Sequence, residues 1–285
     1  MPGMSIIIPA SNEAGHIGTC LTAMLASDPK PGAGSGSLPL PMPVEVIVVA
    51  NGCTDETAAV ARQLTPRFRT MGWDFKVLEM GAVGKIGALN AGDRHARFSA
   101  RAYVDADVVV SKPLLDQVGR ALQVRRPAYV SGRVQIAKPE NSISKLYAKT
   151  YARVPFMTNG VPGCGFFAVN EPGRRRWRDW PEIISDDTFA RLCFTPQERV
   201  GVAACYLWPI VEGWDNLVRV RARQNAGVRE VAQKFPNLVQ NDDKTRLGLA
   251  GMAKLALANP PSFMVYAAVA LATKFRRDGG WARGR

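Results

Sequence analysis

The sequence predicts an α/β fold in which a mainly parallel sheet carries helices on both faces, with a helical extension at the C-terminus. Three observations carry this. Short β-rich apolar runs alternate with helix-like stretches through the first half of the chain. The runs are continuously apolar, as strands covered on both sides require. Polar residues gather just beyond several of these runs, at the end of an open sheet where ligands bind.

The first run is MSIIIPA, followed by a helical stretch at 14 to 26. VEVIVVAN then precedes helix at 54 to 64, DFKVLEM precedes 84 to 98, and RAYVDAD precedes 112 to 124. The opening MPGMSIIIPASNE has no basic n-region and only a very short apolar run, so it reads as the first strand and not as a signal peptide. Between the first helix and second strand, SDPKPGAGSGSLPLPMP at 27 to 43 has the Gly, Ser and Pro content of a loop. Beyond about residue 128 the alternation loosens. AYVSGRVQI and CGFFAVN read as strands, and 142 to 153, 186 to 194 and 215 to 234 as helices.

The tail is different in character. LGLAGMAKLALA and FMVYAAVALAT flank NPP, and the second run is shorter than the roughly 20 residues that span a bilayer. Two packed core helices and an amphipathic hairpin on a membrane surface both fit. Lys274, Arg276, Arg277, Arg283 and Arg285 beside the last apolar run are what anionic headgroups attract, which is the basis for expecting peripheral membrane contact through the basic C-terminus.

Composition narrows the partners. The 285 residues carry 37 Lys and Arg against 24 Asp and Glu, a net charge of +13 that favours phosphate-bearing or otherwise anionic partners. No nucleic-acid-binding motif accompanies that charge, so no nucleic acid is expected. Cys20, Cys53, Cys164, Cys193 and Cys205 are scattered and odd in number, without C-x-x-C spacing. That argues against a disulfide framework or zinc cluster and for a reducing, cytoplasmic setting, at the inner face of the cell membrane if the tail binds lipid. His16 and His95 lack the spacing of a zinc pair.

The stretch YVDADVVV places Asp105 and Asp107 one residue apart where a strand runs out. Alternate residues of an extended chain share a face, so both carboxylates can converge on one cation. Asn12 and Glu13 follow the first strand and Asn51 the second, so these groups should meet at one rim of the sheet. Thr54 and Asp55 suit a helix N-terminus as well as a ligand role.

Six segments, SIIIPASNEAGHIGTCL, VIVVANGCTDETAAVA, GKIGALNAGD, YVDAD, PGCGFFAVN and ISDDTF, stand in the order found in family 2 glycosyltransferases, which this chain resembles from residue 4 to about 194. The resemblance implies the GT-A nucleotide-sugar-binding fold. It places Pro9, Ala10, Asn12 and Glu13 against the uridine of a UDP-sugar, with Asn51 where the family commonly has a base-binding aspartate. It implies that Lys85 sets a cation near the nucleotide, that Asp107 binds Mn²⁺ or Mg²⁺, and that Asp105 serves the metal or the ribose. Gly163, Cys164 and Gly165 would border the donor sugar. Asp187 aligns with the family's general base, and Asp186 replaces the usual glutamate beside it. Arg221, Arg223 and Gln224 resemble a reduced form of a late Gln and Arg-Trp motif that meets diphosphate or acceptor.

The expected reaction is therefore metal-dependent, inverting transfer of a sugar from a nucleotide-sugar to a hydroxyl of a lipid-linked or glycan acceptor. Residues 1–240 would be catalytic, with 1–110 binding nucleotide and 111–240 acceptor, and 241–285 a helical segment. Sugar nucleotidyl transfer is the rival enzymatic reading, and a catalytically silent nucleotide- or membrane-binding scaffold the non-enzymatic one.

Overall fold

A computed structural model describes residues 1–27, 40–245 and 247–275. Most of the Gly- and Pro-rich run, and the basic residues Arg276, Arg277, Arg283 and Arg285, lie outside the described residues. In chain order the elements are β1 (Met4–Ala10), α1 (Ile17–Leu25), β2 (Val44–Asn51), α2 (Thr57–Gln63), α3 (Thr65–Thr70), β3 (Asp74–Met80), α4 (Gly84–His95), β4 (Ala100–Val104), β5 (Val109–Val110) and α5 (Leu114–Ala121). There follow β6 (Tyr129–Ile136), α6 (Ser142–Tyr151), α7 (Pro155–Thr158), β7 (Phe166–Val169), α8 (Glu171–Arg174), α9 (Asp186–Leu192), β8 (Arg199–Trp208), α10 (Trp214–Lys234), α11 (Leu249–Ala258) and α12 (Pro260–Phe275).

The chain folds as two compact units. One comprises 1–134, 163–182 and 197–208; the other comprises 135–162, 183–196 and the chain from 209 onward. The first unit holds the sheet, whose strand order is β3-β2-β1-β4-β7-β6-β8-β5. Its β3-β2-β1-β4 half is parallel, as the sequence alternation predicts. The other half is built from antiparallel pairs, β4 with β7, β7 with β6, and β8 with β5.

Five elements go beyond the sequence reading, of which α7 and α8 are single turns of four residues. β8 was not expected because RVGVAACYLW spreads a period-two signal over Gly, Ala and Cys, with Val202, Ala204 and Tyr206 turned further inward than their neighbours. β5 has only two residues and is defined by its pairing to Tyr206 and Leu207. In α3 the proline sits in the first turn, where its missing N–H costs nothing, so it starts a helix.

The sheet is covered on both faces, which explains its apolar strands. Ile6 and Ile8 of β1 and Val46 and Val48 of β2 pack in one core with Cys20, Leu21 and Met24 of α1 and Leu114, Leu115 and Val118 of α5. Ile47 and Val49 of β2 point the other way, onto Ala88 and Ala91 of α4. A Cβ at Gly92 of α4 would lie 2.4 Å from the Ile7 side chain, so glycine there lets the helix seat closely on β1. That seating fixes where the first turn of α4, with Lys85, meets the end of the sheet.

The second unit is mostly helical. Ser262 ties α12 to α6, its Oγ lying 2.5 Å from the Leu146 carbonyl oxygen and 2.8 Å from Thr150 Oγ1, and Tyr266 packs 5.7 Å from Tyr147. No helix among the described residues is long and apolar enough to cross a membrane.

Candidate functional site

In the strand order, β1 has β2 on one side and β4 on the other, so the winding reverses between β1 and β4. A crevice opens beyond the carboxyl ends of strands at such a point. Pro9 and Ala10 end β1, and Asn12 follows in the left-handed region at φ 57°, a conformation that Asn tolerates better than other side-chain-bearing residues. Its Oδ1 accepts from the Thr54 amide at 2.8 Å, which joins the loop after β1 to the loop after β2. The Glu13 amide donates to Thr57 Oγ1 at 2.8 Å, and the Asp55 carboxylate accepts the amides of Ala14 and Thr57, each at 3.0 Å. Burial pushes the Asp55 carboxyl up, but the Thr57 hydroxyl and these amides outweigh it and hold it below the usual range. Of its two readings, the structure supports Asp55 as a brace between loops.

Asn51, at the end of β2, is buried, and its Oδ1 accepts the Val83 amide at 2.8 Å. An N–H can meet only the oxygen of that amide group, so the bond fixes which way the Asn51 amide is turned. The bond shapes the turn that leads into α4. From the first turn of α4, Lys85 Nζ reaches 2.9 Å from Asp105 Oδ1. Both partners are about a third exposed, so the pair adds little stability; its effect is to place a cation beside the β4 terminus.

The DAD stretch hangs between β4 and β5 as a turn. The Val108 amide donates to the Asp105 carbonyl at 3.1 Å, and the Asp105 amide donates to the Gly165 carbonyl at 2.9 Å. Asp107 is half-buried there. The donor set is hard oxygen, and no group of three or more His, Cys, Asp or Glu side chains converges among the described residues. One or two carboxylates, with the remaining positions left to water and phosphate oxygens, is how Mg²⁺ is bound beside phosphates. Asp105 and Asp107 fit a divalent ion of that kind.

The neighbouring loop is rigidly shaped. Gly163 and Gly165 have φ of 66° and 74°. Tyr206 Oη donates to the Cys164 carbonyl at 2.7 Å, and the buried Cys164 side chain behaves as packing. A Cβ at Gly163 would fall 1.8 Å from Tyr129 Oη. Gly163→Ala is therefore expected to destabilise the protein by at least about 2 kcal/mol through the combined backbone strain and overpacking, read as a lower melting temperature.

In the second unit, Asp186 and Asp187 begin α9. Ser185 occupies the cap position without capping the backbone; its Oγ donates instead to Asp187 Oδ1 at 2.8 Å, and the Thr188 amide donates to the same oxygen at 2.6 Å. Two bonds to Oδ1 fix the carboxylate and leave Oδ2 for other chemistry. Asp186 is buried. On α10, Arg221 lies over the Tyr151 ring at 5.2 Å and donates to its hydroxyl at 3.3 Å, while Arg223 and Gln224 are half-buried.

Lys244 is a residue the sequence reading missed. It follows Asp242 and Asp243, which pair with the buried Arg191, and its Nζ sits 5.3 Å from the Phe156 ring centroid. Burial and then the Arg191 guanidinium hold the Lys244 ammonium below the usual lysine range, against the opposing pull of Asp242 and Asp187. No spacing rule links residue 244 to 187; the only signal was an acidic pair followed by lysine.

Other polar residues are structural. Asn90 accepts from the Trp180 amide at 2.8 Å, and Asp93 binds Arg101, Arg174, Tyr103 and Trp180. The basic run RRRWR is largely neutralised within the fold, since Arg174, Arg175 and Arg176 pair with Asp93, Glu171 and Glu198. His95 Nδ1 meets the Ala91 carbonyl oxygen on its own helix at 2.9 Å, and His16 is exposed ahead of α1.

Comparison with known proteins agrees with the fold. The family model for glycosyl transferase family 2 matches residues 5–190. Among solved structures, the mannosyltransferase PcManGT from Pyrobaculum calidifontis, in complex with GDP-Man and Mn²⁺, superposes with a TM-score of 0.57 at 21% identity, covering 98% of this chain and 76% of that one. S. aureus TarS 1-349 in complex with UDP-GlcNAc gives 0.50 at 15% identity, covering 95% of this chain and 81% of its own. No curated protein sequence matches. At these identities the structures speak to the fold, which is the mixed α/β sheet of the GT-A type.

Proposed function

Because the chain belongs to glycosyl transferase family 2, we propose that it transfers a sugar from a UDP-sugar to a hydroxyl of a lipid-linked or glycan acceptor, with inversion at the anomeric carbon. The observation that carries the donor site is the arrangement at the β1/β4 switch point, where Asn51 ends β2, Asn12 and Asp105 follow the adjacent strands β1 and β4, and Lys85 pairs with Asp105. In this reading Pro9, Ala10, Asn12, Glu13 and Asn51 border the nucleoside, and Gly163, Cys164 and Gly165 border the sugar. Residues 1–240 are the catalytic part, 1–110 serving nucleotide and 111–240 acceptor, with 241–285 a helical extension. A peripheral contact with the membrane carrying the acceptor belongs to the same reading.

Asp107, with Asp105 beside it, holds Mn²⁺ or Mg²⁺. When bound, the ion supplies Lewis-acid neutralisation of charge on the nucleoside diphosphate. Lys85 adds a cation on the same side. Asp187 Oδ2 takes the proton from the acceptor hydroxyl, whose oxygen attacks the anomeric carbon as the bond to the nucleotide breaks on the opposite face. The electron pair of that bond leaves with the diphosphate, and no sugar-enzyme bond forms. Asp186, Arg221, Arg223 and Gln224 line the donor or acceptor, and Lys244 places a second cation near Asp187.

A screen of nucleotide-sugars for donor hydrolysis tests the reading without an identified acceptor. Release of UDP from one UDP-sugar in the presence of Mn²⁺ is the expected result. Release of pyrophosphate from a nucleoside triphosphate would favour nucleotidyl transfer instead, and product with retained anomeric configuration would refute single displacement.

A further inference from the structure

α12 packs by one side only. Ser262, Tyr266 and Val269 face α6 and α10, whereas Met264, Ala268, Leu271 and Phe275 recur at the spacing that aligns one helical face, and all four are exposed. Met264 is 69% exposed, Leu271 54% and Phe275 79%. In α11 no residue is buried, and Leu249 and Leu257 stand 82% and 83% exposed. Single exposed apolar side chains are ordinary, but a contiguous row of them marks a contact surface.

The charge around this row selects its partner. From Lys244 to Phe275 the sequence contains Lys244, Arg246, Lys254 and Lys274 and no Asp or Glu. A second copy of the same face would bring like charges together. An anionic bilayer satisfies both features, because its headgroups attract the lysines while its acyl boundary takes the apolar side chains. The 16 residues of α12 extend about 24 Å, short of the roughly 30 Å hydrocarbon core, so the helix suits lying along the surface.

We propose that α11 and α12 dock on an anionic membrane surface with Leu257, Met264, Leu271 and Phe275 inserted and Lys254 and Lys274 at the level of the lipid phosphates. This refines the expected contact, whose insertion surface is the apolar face and whose cations secure it. It rests on the proposed function only in making the acceptor one presented at a lipid surface; docking itself requires no turnover.

Flotation of the full chain with vesicles tests this, using phosphatidylcholine alone and an equal mixture of phosphatidylcholine and phosphatidylglycerol. Wild type is expected to float with the mixed vesicles only. Replacing Leu257, Met264 and Leu271 together by Gln, which keeps charge and helix propensity, should weaken partitioning by about tenfold or more. Lys254→Gln with Lys274→Gln should weaken it as well. Circular dichroism and melting temperature verify that these exposed substitutions leave the fold intact. Undiminished flotation of the triple variant, equal binding to neutral vesicles, or a wild-type dimer that the triple variant dissociates would each overturn the proposal. Absence of donor hydrolysis in the wild type would count against the proposed function alone, since flotation is read independently of it.

Discussion

Asp187→Asn is expected to lower sugar transfer by about 10² to 10⁴-fold, the contribution typical of a positioned general base, while UDP affinity stays at the wild-type value. The structure makes this substitution unusually clean. Asp187 Oδ1 accepts from Ser185 Oγ and from the Thr188 amide, and an asparagine Oδ1 can accept the same two bonds. Only Oδ2 changes, from a carboxylate oxygen that can take a proton to an amide nitrogen that cannot. The start of α9 therefore keeps its geometry and loses its base. Donor hydrolysis should fall in the same ratio, because water standing in for the acceptor also has to give up a proton. Labelled product and released UDP measure the rate, and calorimetric titration measures UDP binding. Normal turnover by the variant would remove Asp187 from the role.

The parallel half of the fold was legible because its strands are buried on both faces. Ile6, Ile7 and Ile8, and Val46 through Val49, are fully buried, and such runs declare themselves without any partner being known. The antiparallel half was only partly legible. β8 has one half-exposed face, and β5 exists through two residue pairs with a strand about a hundred residues away, so local sequence could not announce either. α3 was not legible for a different reason, since a proline that starts a helix and one that ends it look alike without the following turn.

The site divides in the same way. Asp105, Asp107, Asn12 and Asn51 could be placed at one rim because strand ends are local features and the sheet's winding is predictable from alternation. Which groups of the protein itself those side chains meet could not be read. Asn51 turned out to spend its oxygen on Val83 N, and Asp105 to pair with Lys85, both contacts that depend on how α4 seats over Gly92. Lys244 was invisible because its neighbours Arg191 and Phe156 are far apart in sequence from it and from each other. Positions at the ends of β1, β2 and β4 could be read from local sequence; a contact made by the connection after α10 could not.

Asp107→Ala should abolish the effect of Mn²⁺ on UDP binding, a loss expected to exceed the 10 to 100-fold typical when a residue that merely orients a metal ligand is removed. The argument is one of sign. Lys85, Asp105 and Asp107 carry formal charges of one plus and two minus, and Lys85 is already paired to Asp105 at 2.9 Å. A diphosphate approaching that cluster would meet net negative charge, whereas a divalent ion turns it net positive. UDP titrated into wild type with and without Mn²⁺ should therefore show strong metal dependence, and the Asp107→Ala titrations should nearly coincide with each other. Removing Asp107 also cancels the cluster's net charge, so metal-free UDP binding by the variant should be no weaker than that of the wild type and somewhat stronger at low salt. That second arm separates loss of a ligand from collapse of the turn, which would weaken binding under both conditions. A metal effect of wild-type size in the variant would show that the ion, if it binds, does so without Asp107.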